Sequence, residues 1–236
     1  MSTLVPRITD PQAVPVTGVD EHLPPVPAER LQPDALRRRF AAPPAWTPEI
    51  PGDGGRFAQR APRQASVLVP LVMRDDGLRV LLTQRTAHLR DHAGQISFPG
   101  GGAEPQDADA VATALRETEE EVGLARQHVE VIGQLPVYST VTSYVVTPVV
   151  GLVRPGFTLA LDSFEVAEAF EVPLRFLMTP AHHRRHAFEM AGHQREFLSM
   201  PWPGDAPGAA AHAPYFIWGA TAAMLRNLYG FLAHGT

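Results

Sequence analysis

Residues 116–124 read RETEEEVGL, with four glutamates and one arginine packed into the first six positions of a chain that is only 19% charged. A run of charge is ordinarily a solvated helix face. Here the spacing argues for more. At 3.6 residues per turn, positions i, i+3 and i+4 share a face, and Glu117, Glu120 and Glu121 stand in that relation. Ala108, Val111, Leu115, Thr118 and Val122 recur at spacings of three and four, which predicts a core-facing stripe. The three carboxylates then lie nearly opposite that stripe, with Glu119 between the two faces. Like charges so placed repel one another. A divalent cation would remove the repulsion, and hard cations such as magnesium or manganese take carboxylate oxygens.

Working outward, the helix is expected over residues 107–122, stopped by Gly123. Upstream, ASVLVPLVMR (65–74) and LRVLLTQR (78–85) read as strands joined by the turn RDDG, and FPGGG (98–102) as a glycine-rich loop. Downstream, residues 128–137 and 143–154 read as strands. Residues 163–180 are mixed, with a short helix after Pro173. Residues 183–202 read as a hairpin turning at Ala191–Gly192, and YFIWGATAAMLRNLYGFLA (215–233) as one long amphipathic helix. Clustered strands with helices between them predict a mixed α/β sandwich.

Half of the 24 prolines fall in the first 63 residues. Residues 1–63 read as an extended arm with one short helix in PAERLQPDALRRRFAA, broken at Pro33. The arm holds no motif. It packs on the main domain, residues 64–236, or mediates contacts in a homodimer. A chain starting near Arg63 is expected to keep the chemistry.

The 236 residues suffice for one sizeable core plus an extension. A net charge of −5 gives no basic field for nucleic acid. The absence of cysteine excludes disulfides, thiolate metal sites and a cysteine nucleophile. The histidines include no helical H-E-x-x-H pair. The N-terminus has no apolar core of signal-peptide length, and the longest apolar stretch, ASVLVPLVM, is far short of a membrane span. A cytoplasmic protein with no membrane partner is expected.

The pattern from Gly101 to Leu124 resembles the Nudix box, G-x5-E-x7-R-E-U-x-E-E-x-G-U with U aliphatic. Arg116, Glu117, Glu120, Glu121, Gly123 and Leu124 fall in place, and Thr118 stands for an aliphatic residue. The family's first glutamate is displaced. Counting back from Arg116 reaches Ala108, and counting forward from Gly101 reaches Asp107. The resemblance implies that Asp107 braces Arg116, with Asp109 and Glu104 as alternatives. Residues 81–101 resemble the signature of the coenzyme A pyrophosphatase branch of that family, L-L-T-x-R-[SA]-x3-R-x3-G-x3-F-P-G-G. Ten fixed positions match, from Leu81 through Arg85, Arg90 and Gly94 to Gly101.

The resemblance implies a Nudix fold, a mixed sheet packed between helices, and a metal-dependent hydrolase of a pyrophosphate. Mg2+ or Mn2+ would be held by Glu117, Glu120, Glu121 and the Gly101 carbonyl. Arg85, Arg90, Gly100 and Gly101 would contact substrate, since guanidinium groups grip phosphate through paired hydrogen bonds. Glu120 and Arg116 would take part in catalysis. For the general base, Glu165, Glu168 and Glu171 lie in a loop before VPL, and Glu168 is favoured. The expected reaction cleaves coenzyme A or an acyl derivative to 3′,5′-ADP and 4′-phosphopantetheine. The alternatives are another nucleoside diphosphate derivative such as ADP-ribose, or a non-catalytic nucleotide-binding module.

Overall fold

The computed structural model describes residues 8, 10–53, 61–89, 93–190, 192–205 and 215–235. Arg90 and Ala191 lie outside them. In chain order the elements are β1 (Val16–Val19), α1 (Pro33–Ala41), β2 (Arg63–Arg74), β3 (Gly77–Arg85), β4 (Ile96–Ser97), β5 (Gly100–Gly102), α2 (Ala110–Val122), β6 (Val129–Gln134), β7 (Tyr138–Ser139), β8 (Tyr144–Val153), β9 (Val166–Pro173), α3 (Leu174–Leu177), β10 (Arg184–Met190), β11 (His193–Trp202), β12 (Tyr215–Trp218) and α4 (Gly219–Ala233).

β2 organises the larger sheet. Its apolar run is nearly continuous because both faces are covered. One edge runs parallel to β8, from Arg63 opposite Tyr144 to Val72 opposite Val153. The other edge is divided. Leu71–Arg74 pair with β3, and Ala65–Val67 pair with β5. The glycine run is therefore a short strand rather than a free loop, which corrects the expectation for residues 100–102. The sheet runs β4-β3-β2-β8-β6, with β5 on β2, β7 on β8 and β9 on β3.

Strand alternation sends neighbouring residues to opposite faces. Leu68, Val72, Leu81 and Val149 meet Ala114 and Val122 of α2. Val69, Leu71, Val80, Leu82 and Val150 belong to the larger core with Ala222, Leu225 and Leu228 of α4. The mixed sheet thus lies between helices, as expected. A second antiparallel sheet, β1-β10-β11-β12, joins the α4 side.

Further expectations are corrected. Residues 215–218 are a strand on β11, and the helix begins only at Gly219. That helix is apolar nearly all round and buried from Thr221 to Tyr229, so it is a core helix rather than an amphipathic one. Pro33 does not break a helix. It opens α1 in the first turn, where its missing N–H costs nothing.

The arm packs on the main domain, the first of the two readings made for it, and only its boundary shifts. Arg63 already lies in β2, so the expected boundary cuts a strand. β1 pairs with β10. Phe40 and Trp46 pack on Phe231 of α4 at ring separations of 4.7 and 5.5 Å. Asn227 of α4 accepts from Ile50 N at 3.0 Å and donates to Ile50 O at 2.7 Å. An ion network centred on a buried arginine completes the attachment. Arg226, 3% exposed, meets Asp20 at 3.1 Å and Glu49 at 2.6 Å, and both acids also bind Arg185. Residues 10–53 are thus a woven part of the body.

Candidate active site

α2 starts and stops by local chemistry. Asp109 caps it, accepting from Ala112 N at 2.8 Å. Gly123 ends it with φ +68°, a left-handed conformation that suits glycine. A Cβ there would also strike Ala160 at 2.8 Å.

The buried arc of the helix holds Thr113, Ala114, Thr118, Glu121 and Val122. Val111 and Leu115 are only partly buried, and Ala108 is exposed and precedes the helix. The core face is thus rotated toward Thr113 and Glu121. The carboxylates do not oppose it, as the spacing suggested, but fan away from its edge. Glu121 is buried, Glu117 half-buried and Glu120 exposed.

This fan meets the glycine strand. Glu121 Oε2 accepts from Gly100 N at 3.1 Å. A Cβ on Gly101 would fall on the Glu117 carboxylate, so only glycine permits that approach. Burial pushes the Glu121 carboxyl up to about 7, against the pull of the Gly100 N–H and Arg85. Burial also raises Glu117, against its bond from Arg116.

Arg116 is the hub. Its guanidinium donates to both oxygens of Asp107 at 2.9 Å, to Glu117 Oε1 and Glu120 Oε2 at 2.9 Å, and to Gly102 O at 3.1 Å. Asp107 also accepts from Glu104 N at 2.9 Å and from the Thr113 hydroxyl at 3.0 Å. The Arg116 bonds hold its carboxyl well below the usual carboxylate range. Of Asp107, Asp109 and Glu104, it is thus Asp107 whose carboxylate binds Arg116. Asp109 is the helix cap, and Glu104 offers only its backbone.

Arg85, at the end of β3, reaches the same place. Its Nη1 is 3.7 Å from Glu121 Oε1 and its Nη2 is 3.9 Å from Glu165 Oε2, while its Nε is buried with no hydrogen-bond partner. Glu165 lies near enough to raise both Glu117 and Glu121. Glu168 is elsewhere. It sits within β9 opposite Gln84 and accepts from the Tyr215 hydroxyl at 2.6 Å. Glu171, also in β9, binds Arg74 at the far end of the strand. The loop expected for these acids is therefore a strand for Glu168 and Glu171. The acid brought beside the box is Glu165, one of the three candidates read from the sequence but not the favoured one. Only the pairing of β3 with β9, with its irregularity between Gln84 and Arg85, decides this.

Among the described residues, no three histidine, aspartate or glutamate side chains converge as a ready metal cage. What converges is two half-buried to buried carboxylates, Glu117 and Glu121, against a backbone cleared of side chains at Gly100 and Gly101. Oxygen donors of this kind suit a hard divalent cation, which takes the rest of its shell from water and substrate. Glu120 would join by turning from Arg116. Among the described residues, no helix is long and apolar enough to cross a membrane.

Comparison with known proteins identifies the family. The NUDIX domain model matches residues 62–192, more than half of the chain. Over 168 residues the chain is 45% identical to the uncharacterized Nudix hydrolase NudL of Escherichia coli strain K12, covering 70% of this chain and 81% of that protein. The NudL of Shigella boydii serotype 18 is 44% identical over the same shares. Among solved structures, a MutT/nudix family protein from Enterococcus faecalis aligns with 72% of this chain and 62% of its own, at 19% identity and a TM-score of 0.44. With the box in α2, its arginine braced and two of its glutamates set on the glycine strand, this chain belongs to the Nudix family of hydrolases.

Proposed function

We propose that this Nudix hydrolase cleaves the pyrophosphate bond of coenzyme A or an acyl derivative, using Mg2+ or Mn2+. The observation that carries the reading is the joint placement of two motifs. The end of β3, bearing Arg85 of the coenzyme A signature, and β5, bearing its Gly100 and Gly101, both close on Glu121 of the box.

Glu117, Glu121 and the Gly101 carbonyl would hold the cation, with Glu120 completing the set. When bound, the cation neutralises the pyrophosphate and lowers the pKa of a coordinated water. The chain's own residues do the rest. Arg116 keeps β5 and α2 in register through Gly102 and Asp107. Arg85 presents a guanidinium to a phosphoryl oxygen from the buried side of the site. Glu165, held next to it, replaces Glu168 as the acid positioned to take a proton from the attacking water. The 45% identity to NudL supports the hydrolase, and the match across residues 81–101 supports the coenzyme A branch.

The test is product analysis after incubation of the full chain with coenzyme A and Mg2+. Release of 3′,5′-ADP and 4′-phosphopantetheine is the expected result. Preferential turnover of ADP-ribose would reject the substrate and leave the hydrolase.

A further inference from the structure

Phe164 is the most exposed of the large hydrophobic side chains among the described residues, at 65%. Single surface apolar residues are commonplace and need no account. Phe164 differs in three respects. It is paired, it is rigidly held, and it borders the carboxylates.

The pairing is with His88, whose ring lies 4.9 Å from that of Phe164, the two tilted by 58°. Both rings stand at the surface. The rigidity comes from both sides of the loop. Asp162 accepts from Phe164 N at 2.8 Å through Oδ1, and its carbonyl accepts from Glu165 N at 3.0 Å and Val166 N at 2.8 Å. Thr86 clamps the other side, its hydroxyl donating to Phe164 O at 2.8 Å and its N–H to Glu165 O at 2.9 Å. The place follows from the same bonds. Asp162 N donates to Glu121 O at 2.9 Å, Thr86 follows Arg85, and Glu165 follows Phe164. The ring is tied on one side to the glutamate of α2 and on the other to the arginine of β3.

An exposed aromatic ring on a preorganised loop offers a flat apolar surface at little entropic cost. Nucleobases stack on such rings. The loop that bears the ring also bears Glu165, 3.9 Å from Arg85, so a nucleotide whose diphosphate is held at Arg85 has this loop within reach of its base. We propose that Phe164 and His88 form a stacking platform for the aromatic base of the substrate. This rests on reading the neighbouring site as one that binds a nucleoside diphosphate group. The platform selects for a base-bearing diphosphate over a bare one and contributes little to the phosphates themselves.

The test compares binding of ADP and of inorganic pyrophosphate by calorimetry, with Mg2+, for the full chain and for Phe164→Leu, Phe164→Trp and His88→Ala. Stacking of this kind predicts an ADP affinity roughly tenfold weaker in Phe164→Leu. Phe164→Trp should restore it, His88→Ala should weaken it less, and pyrophosphate should bind alike throughout. The exposure of Phe164 makes a folding defect an unsuitable explanation, and Phe164→Trp controls for it. Equal losses for ADP and pyrophosphate would overturn the platform, because the loop would then be acting on the phosphate site. Unchanged ADP binding in Phe164→Leu would overturn it too. A selective ADP loss in a protein that fails to cleave coenzyme A would uphold the platform and reject the coenzyme A reading alone.

Discussion

Asp107 and Arg116 are joined by two hydrogen bonds of 2.9 Å, which close the loop after β5 onto the second turn of α2. The same guanidinium holds Gly102 O, Glu117 and Glu120. Asp107 therefore sets the distance between the glycine strand and the carboxylates. Asp107→Ala is expected to lower kcat by about 10²-fold, the scale for a reacting group misplaced by about 1 Å. Asp109→Ala should instead lower stability by about 1 kcal/mol through the lost cap, with kcat preserved. Steady-state kinetics and thermal melts of the two variants check this. The reverse order would place the brace on Asp109.

The three box glutamates should not be equivalent. Glu121 is buried on Gly100 N and Glu117 is fixed against Gly101, whereas Glu120 is exposed and bound to Arg116. Glu117→Gln and Glu121→Gln are expected to cut turnover by orders of magnitude. Glu120→Gln should cost less and raise the metal concentration needed for half activity. Titration of activity with Mg2+ in each variant gives the order. A Glu121→Gln enzyme of full activity would remove the metal assignment.

Glu121 also gives the metal-free protein a pH signature. Its folded pKa, about 7, lies above the ordinary value of 4.5 for a glutamate. The folded state then holds the proton more tightly, so stability from this group is present below about 4.5 and is lost as pH rises through 7. His183 has the opposite slope in an overlapping window, since burial lowers it from 6.5 to about 4. The difference between wild type and Glu121→Gln isolates the carboxylate. In chelator, the variant should gain Tm relative to wild type as pH rises from 5 to 8, and saturating Mg2+ should reverse the sign. A difference that is flat with pH would contradict the buried, proton-retaining carboxylate.

The arm should be needed for folding. Asp20, in the core, and Glu49, at the surface, neutralise the buried Arg226, and burial raises the Asp20 pKa less than Arg185 and Arg226 lower it. Removing one partner of a buried pair leaves an uncompensated charge, at a cost of about 3–5 kcal/mol. Asp20→Ala is expected to lower Tm by on the order of 10 °C. A chain starting at Arg63 should fail to give a cooperative melt. A stable, active truncation would show that the network is dispensable.

What could be read from the sequence was what neighbours in sequence decide. The helix ending at Val122 announces itself through its spacing and Gly123, although it starts at Ala110 rather than at 107, and β2 and β3 announce themselves through apolar runs around a turn. The failures are non-local. β1 has four residues, and its partner β10 begins at Arg184. The strand of residues 215–218 runs straight into an apolar helix, so periodicity shows no border. The rotation of the core face of α2 depends on which strands it meets. Glu165 rather than Glu168 faces Arg85 because of one register irregularity in the β3–β9 pair. None of these has a local signature.

The two signature arginines should separate by role. Arg85 is committed to the carboxylates, 3.7 Å from Glu121 and 3.9 Å from Glu165, with a buried and unpartnered Nε. On the proposed reading, a guanidinium there would meet the phosphates common to every diphosphate substrate. Arg85→Ala should therefore lower kcat/KM for coenzyme A, dephospho-coenzyme A and ADP-ribose alike. Arg90 belongs to the same signature but lies outside the described residues. On the proposed reading it would be the remaining cation of the motif for the 3′-phosphate that distinguishes coenzyme A from its dephospho form. A charge-assisted hydrogen bond contributes about 1.5–3 kcal/mol. At about 1.4 kcal/mol per tenfold, one such contact is a preference of roughly ten- to a hundredfold. The wild type should follow the order coenzyme A, dephospho-coenzyme A, ADP-ribose. Arg90→Ala should narrow the first gap and leave ADP-ribose unchanged. If Arg85→Ala narrows that gap instead, the assignments of the two arginines exchange. If ADP-ribose is the best substrate of the wild type, coenzyme A is rejected, and the Nudix hydrolase stands with another nucleoside diphosphate.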